Sequence, residues 1–417
     1  MVLHHRAQGV SETHAIDIGR TNESAATGVS RSERWLFIDG AAAFGGHEAM
    51  LLRWLEELDA QRAAQCFVLA RQASKLASDA ARHARVIELP PERRGALNKL
   101  LGHFRDGVAL TRAIFEVKPT LCVVAEGCLL DQPLFALLAR LLRQRVVIYV
   151  PMVQTSASMG FGSARIRDAL VRRWYANLPH AWLTITREQA TEFRAWARVR
   201  RPIFVLPNTV SRSLEAEQLA SRVDGASGAT ARLRILVLGR IEAHQKGLDT
   251  LLDYLSAHAQ LAEQITVSFV GTGPFESQLR DRLATNAALA SWISLQPWSP
   301  TLLAMRSHDV LLMTSRYEGV PLVMLEAMAV GLPVVAPDLP GTRAFLGAEA
   351  LFPREDMPAA MARLTRMFDP AARAHTVERN RSTFEALASN AAFSAAVQSL
   401  SQQLQGLART PARPRSA

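Results

Sequence analysis

Short apolar runs and helix-length segments alternate along this chain in two successive series, with one break in periodicity between them. That alternation constrains the fold more than any other feature. In the first series the runs are WLFIDG (35–40), CFVLA (66–70), ARVIEL (84–89), LCVVAEG (121–127), RVVIYV (145–150), AWLTIT (181–186) and PIFVLP (202–207). In the second they are RILVLG (234–239), ITVSFVG (265–271), WISLQ (292–296), DVLLMTS (309–315) and LPVVAPD (332–338). Runs this short and this uniformly apolar fit strands covered on both faces. Segments such as AMLLRWLEEL (49–58) place Leu51, Leu52, Leu55 and Leu58 on one helical face and fit the covering layer. The expectation is an α/β chain of two doubly wound, Rossmann-like domains facing a central cleft. In such sheets ligands bind at the carboxyl ends of the strands.

The boundaries follow from where the pattern stops. Residues 1–31 are polar and read as a disordered tail, 32–208 as the first domain, and 209–231, rich in Ser, Gly and Ala, as a linker. Residues 232–385 read as the second domain, 386–407 as a helix that packs back toward the first, and 408–417 as a second tail. The opening residues lack the apolar stretch of a signal peptide, and no run approaches the roughly 18 apolar residues of a membrane span. Three cysteines, Cys66, Cys122 and Cys128, have no metal-ligand spacing, and the first two sit in strand-like runs as buried thiols. A cytoplasmic chain is expected. Its net charge is +10, carried almost wholly by arginine, which favours anionic partners.

Chemistry concentrates in the second half. In RYEGVPLVMLEAMAVGLPVV (316–335), Pro321 suits the first turn of a helix that Gly331 ends and Pro333 keeps from continuing. Glu318 then lies on the entering loop and Glu326 inside the helix, up to ~12 Å away by helical rise. The turn Gly319–Val320–Pro321–Leu322 between them offers the free N–H groups and partial positive charge that suit a diphosphate. Either carboxylate alone is as well explained as a solvated or capping residue. In LGRIEAHQKGLDTLL (238–252) a strand leads to Gly239 and Arg240, and Lys246 stands at a helix start. Two cations there can neutralise a leaving diphosphate without a metal, or can simply be solvated surface charges. FVGTGPFESQL (269–279) brings Gly271 and Gly273 into a turn where backbone can approach a ligand. GGHE (45–48) does the same from the first domain with Gly45 and Gly46, although a plain capped turn accounts for it equally well. Trp298 is a candidate for the base-binding loop. No Walker A pattern, no Asp-x-Asp after an apolar strand, no Gly-x-Ser-x-Gly elbow and no Cys/His zinc spacing occurs.

Taken together, GGHE, PNTV (207–210), GRIEAHQKG, VGTGP and the Glu-x7-Glu of EGVPLVMLEAMAVGLPVV resemble glycosyltransferase family 4 over residues of about 34 to 400. The resemblance implies the GT-B fold and a retaining glycosyltransferase that needs no metal or other cofactor. It implies that Arg240 and Lys246 hold the diphosphate of a nucleotide-sugar donor. Glu318 would contact the transferred sugar, Glu326 the ribose, and Gly45 and Gly46 the phosphates or the acceptor. One departure stands out. Many relatives carry a histidine after the strand corresponding to RVVIYV, whereas this chain reads PMVQTSASMGFG (151–162). His47 and Glu126 are the candidate acceptor-side substitutes. Two other readings stay open, a nucleotide-sugar epimerase and a catalytically degenerate binding protein.

The acceptor is expected to be a sugar or a lipid-linked sugar, with the protein peripheral on the inner face of the cytoplasmic membrane. Residues 164–201 hold nine arginines (Arg165, Arg167, Arg172, Arg173, Arg187, Arg194, Arg198, Arg200, Arg201) against Asp168, Glu188 and Glu192. Arg93, Arg94 and Lys99 precede the amphipathic LLGHFRDGVALTRAIF. Such charge suits an anionic bilayer. Nucleic acid is not expected, because no interleaved aromatic platform accompanies the arginines.

Overall fold

The computed structural model describes residues 33–41, 44–91, 96–215 and 232–409, with backbone alone for 96–100. The tail read at 1–31, most of the linker at 209–231, most of the tail at 408–417, and Arg93 and Arg94 lie outside the described residues, as does the side chain of Lys99.

Two wholly parallel sheets form from the two series of apolar runs. The first contains β1 (Arg34–Asp39), β2 (Gln65–Arg71), β3 (Arg85–Leu89), β4 (Leu121–Ala125), β5 (Val146–Tyr149), β6 (Ala181–Thr184) and β7 (Ile203–Val205). The second contains β8 (Leu233–Leu238), β9 (Ile265–Val270), β10 (Ile293–Gln296), β11 (Val310–Leu312), β12 (Val334–Pro337) and β13 (Leu351–Phe352). The orders are β3-β2-β1-β4-β5-β6-β7 and β10-β9-β8-β11-β12-β13. In each sheet the winding reverses between the first strand and the fourth. The connections at that point leave for opposite faces and open a crevice at the carboxyl ends. The crevice of the first sheet is therefore bounded by the segments after β1 and β4, and that of the second by those after β8 and β11.

Both faces of each sheet are buried, which is why the strands are apolar throughout rather than alternating. Residues Trp35 to Ile38 of β1 and Leu121 to Ala125 of β4 have no exposed surface. On one face Trp54, from the helix Gly46–Ala60, packs edge-on against Trp35, Phe37 and Tyr149. A fully buried aromatic of this size contributes about 1.5–3 kcal/mol and fixes that helix, and so the turn before it, on the sheet.

The chain crosses between the sheets twice. Thr209, after β7, donates its hydroxyl to Ala388 O at 2.7 Å, so the two crossings are tied to each other. The helix Pro370–Leu387 belongs to the second sheet's layer. After a break at Ala388–Ser389 the helix Asn390–Arg409 lies on the first, burying Phe393, Val397, Leu400 and Leu404 beside the helix Gly46–Ala60. Polar ties reinforce it: Ser394 Oγ donates to Glu57 at 2.6 Å, and Gln405 Nε2 donates to Ala63 O at 3.1 Å.

Local differences from the sequence expectations have plain causes. β11 stops at Leu312 rather than Ser315. Met313 still donates to Val335 O at 2.9 Å, but beyond it the chain turns into the site loop. Pro321 is the N-cap of the helix Leu322–Val330 rather than its first residue, with an extended ψ of 124°. Gly331 ends that helix at φ 76°, as its position predicts. β13 is only two residues long and carries no periodic signal.

Candidate active site

Two segments of the second sheet converge at its crevice. After β11, the loop Ser315–Pro321 carries Glu318 to the amino end of the helix Leu322–Val330. After β8, the loop Gly239–Gly247 carries Arg240 and Lys246. Lys246 Nζ lies 2.5 Å from Glu318 Oε1, which also accepts from Ser315 Oγ at 2.8 Å. The loops are bolted together from behind. Thr314 Oγ1 donates to Lys246 O at 2.8 Å, and a Cβ on Gly247 (φ 65°) would stand 2.3 Å from Thr314 O. Arg316 braces the outside, donating to Ala243 O, His244 O, Asp249 and Glu355. Arg240 keeps its guanidinium near the crevice through Gln245 Oε1 at 2.9 Å. Glu326 is half-buried and has no hydrogen-bond partner among the described residues; burial lifts its carboxyl to about 7.

Gly271 and Gly273 serve packing between loops. A Cβ at Gly271 (φ 145°) would fall 1.9 Å from Gly239 O, and one at Gly273 would fall 2.3 Å from Ile241 O. Ile241 N donates to Thr272 O at 2.9 Å, so the turn after β9 holds the Arg240 loop in place rather than opening backbone to a ligand. Trp298 follows edge strand β10 and is 65% exposed.

The first sheet meets this loop directly. Gln154 Nε2 donates to Glu318 O at 2.8 Å, Asn208 Nδ2 to Val320 O at 2.9 Å, and a Cβ on Gly319 would lie 2.7 Å from Pro151 O. The segment lacking the relatives' histidine thus supplies the cross-cleft contact to the Glu318 backbone. Gly46 faces the helix start, where its Cβ would be 3.8 Å from Leu322 Cδ1. His47 is clasped by two carboxylates, with Nε2 3.5 Å from Asp39 Oδ2 and Nδ1 3.1 Å from Glu48 Oε2. Glu126 has no exposed surface and accepts from the Tyr175 hydroxyl, and burial lifts its carboxyl to about 8. Its oxygens face the interior rather than the crevice.

The geometry brings together Arg240, Lys246, Glu318, Gly319, Val320, Pro321 and Leu322, with Gly45, Gly46 and His47 opposite. Ser315, Gln154, Asn208 and Asp39 were not singled out from the sequence. Two had a signal: Asn208 as part of PNTV, and Gln154 as a polar side chain in the segment where a histidine was missing. All three cysteines are held in the thiol form, with burial pushing each up to about 12.

Comparison with known proteins bears on the fold and the family. Residues 232–368 match the family model described as glycosyl transferases group 1. Phosphatidyl-myo-inositol mannosyltransferase of Mycobacterium leprae is 34% identical over 113 residues, 27% of this chain and 30% of that protein. The match therefore spans under a third of this relative's own length. Among solved structures, sucrose-phosphate synthase of Thermosynechococcus elongatus superposes with a TM-score of 0.68 at 19% identity, covering 90% of this chain and 99% of that one. Anabaena HepE, in complex with UDP-glucose, gives 0.66 at 16%, covering 89% and 99%. Residues 232–368 are thus similar to the glycosyl transferases group 1 family, and the chain as a whole has the GT-B fold.

Proposed function

We propose that this protein is a retaining, metal-independent glycosyltransferase of family 4 that moves a sugar from a nucleotide-diphosphate sugar to an acceptor in polysaccharide or glycolipid biosynthesis. The observation that carries the reading is the Lys246–Glu318 pair, 2.5 Å apart at the amino end of the helix Leu322–Val330. Such a pair holds opposite charges ready for two parts of one ligand. An incoming diphosphate takes the Lys246 ammonium, the Arg240 guanidinium and the free N–H groups of the helix start. Glu318 is then released to accept hydrogen bonds from the hydroxyls of the transferred sugar. Glu326, without a partner, accepts from the ribose.

Transfer on this scheme breaks the bond between C1 and the diphosphate oxygen. The acceptor oxygen bonds to C1 on the same face, and its proton passes to the departing phosphate, so configuration is kept without a protein base. The protein supplies orientation and electrostatic stabilisation. Arg240 and Lys246 provide the positive charge that a divalent ion supplies in enzymes with an Asp-x-Asp clamp. Asp39, His47 and Glu48 bring ligand-type atoms within 4.8 Å of one another. The two carboxylates lie at ion-pair distance from the His47 ring, 3.5 Å to Asp39 Oδ2 and 3.1 Å to Glu48 Oε2.

The acceptor side is read as a membrane-facing surface carrying a lipid-linked sugar. None of the nine arginines of 164–201 makes a salt bridge with a described residue. Large apolar side chains stand exposed among them on the helix Ala164–Arg173, Ile166 at 67% and Leu170 at 49%, and elsewhere in the first-sheet layer on the helix Ala96–Val117, Phe104 at 72%. No described helix is long and apolar enough to cross a membrane.

The test is release of nucleoside diphosphate from a panel of nucleotide sugars in EDTA, with and without lipid-linked acceptors. Acceptor-dependent release supports transfer. Interconversion of the sugar with no release would make the protein an epimerase.

A further inference from the structure

The turn between β1 and the helix Gly46–Ala60 is capped at each end by a different carboxylate. At its start Asp39 Oδ1 accepts from Ala41 N at 2.8 Å and from Gln132 Nε2 at 3.3 Å, while Gln132 Oε1 accepts from Gly40 N at 2.6 Å. At its end Glu48 Oε2 accepts from Gly45 N at 2.8 Å. Asp39 and Glu48 are 0% and 3% exposed, so two anions share a poorly solvated space and repel. One basic side chain stands between them. His47, 14% exposed, turns one ring nitrogen to each, and Asp39 Oδ2 has no hydrogen-bond partner among the described residues.

We propose that His47 is a positioning residue whose imidazolium joins the two capping carboxylates and so sets the Gly45–Gly46 turn against the helix that receives the donor. The usefulness of the turn rests on the proposed donor site, because Gly46 faces Leu322 at the start of that helix. The lock itself does not. It is a property of Asp39, His47 and Glu48 whatever binds opposite.

The groups facing His47 are Asp39 from β1, Glu48 from its own helix and Asp131 from the segment after β4. Burial opposes protonation of the ring. The negative charge of Asp39, 3.5 Å away, with that of Glu48 and Asp131, outweighs it and raises His47 above its usual 6.5. A raised histidine gives its stabilisation in full below the ordinary value and loses it as pH rises through the folded one. The lock is closed around neutral pH, where the ring is protonated and the carboxylates are ionised; it opens on the alkaline side as His47 loses its proton, and in acid as Glu48, whose carboxyl burial raises, gains one. When the ring loses its proton, Asp39 and Glu48 are left as uncompensated neighbours and the cap on Gly45 weakens.

The experiment is an NMR titration of histidine ring signals and glycine amides in the full chain, wild type, His47→Gln and Glu48→Gln, with UDP and GDP binding measured over the same pH range. Expected in the wild type are a His47 signal titrating above 6.5, Gly45 amide protection falling across that step, and nucleotide affinity dropping on the order of tenfold with it. Glu48→Gln should lower the His47 titration. His47→Gln should show the alkaline behaviour at every pH, remaining folded but unfolding at a somewhat lower temperature. If neither nucleotide binds any variant, the donor reading is at fault, and the ring and amide signals still decide the lock. A His47 signal titrating at or below 6.5, Gly45 protection that ignores it, or stoichiometric zinc binding at His47 would overturn the proposal.

Discussion

Single side chains carry most of the proposed chemistry. Glu318 is 6% exposed and bound to Lys246 and Ser315, so its carboxylate is pointed before any sugar arrives. Glu318→Gln should lower turnover on the order of a hundredfold or more, with little change in the unfolding temperature, because a neutral amide keeps the shape of the contact. Lys246→Ala should weaken donor binding and also lower stability, since it strands a shielded carboxylate. Steady-state kinetics beside thermal unfolding separate the two. Glu326 gives a pH signature. Burial holds its carboxyl near 7, and only the ionised form accepts two hydroxyl donors from a ribose. Nucleotide affinity should fall as pH drops through about 7, and Glu326→Gln should be weak and flat across that range. Calorimetric titration of UDP or GDP at several pH values checks this. A wild-type affinity that does not change there would detach Glu326 from the ribose.

At the scale of elements, the fold was legible because parallel strands buried on both faces are uniformly apolar, and twelve of the thirteen strands announce themselves that way. β13, two residues long, does not. The helix Leu322–Val330 was legible from its punctuation, Pro321 before and Gly331 after. The roles of glycines were not. A glycine that approaches a ligand and one that approaches another loop look alike in sequence, and only the contacts made by Gly271 and Gly273 separate them. Contacts across the cleft were likewise invisible, because Gln154 and Asn208 belong to elements far from Glu318 and Val320 in the chain. Gly341 makes the point testable. A Cβ there would fall 1.4 Å from Gly319 O, so the segment after β12 supports the Glu318 turn from beneath. Gly341→Ala should cost roughly 1–3 kcal/mol of stability and reduce turnover as well, because the turn must move to make room. Chemical denaturation and kinetics on the same sample read both effects. Unchanged values would show that the turn does not depend on that support.

The whole molecule is two sheets whose crevices meet, joined by paired crossings at Thr209 and Ala388, with an excess of positive charge. The arginines of 164–201 lie on the first-sheet side, away from the donor helix in the chain, and make no salt bridge with a described residue; seven are exposed, while Arg167 is half-buried against Leu129 O and Phe161, and Arg201 against Asn177 O. Each basic group near an anionic surface contributes about 1 kcal/mol, enough in combination for reversible binding that salt weakens. Co-sedimentation should therefore show binding to anionic vesicles at low salt, loss at high salt, and little binding to neutral vesicles. Equal recovery on both would leave a soluble acceptor as the better reading. The central claim, sugar transfer with retention and without metal, is tested most directly by proton NMR of the transfer reaction in EDTA, started with the donor that the panel identifies. The predicted result is a new glycosidic linkage with the donor's own anomeric configuration, formed at the rate seen without EDTA. An inverted product, or a reaction that stops until magnesium or manganese is restored, would contradict it.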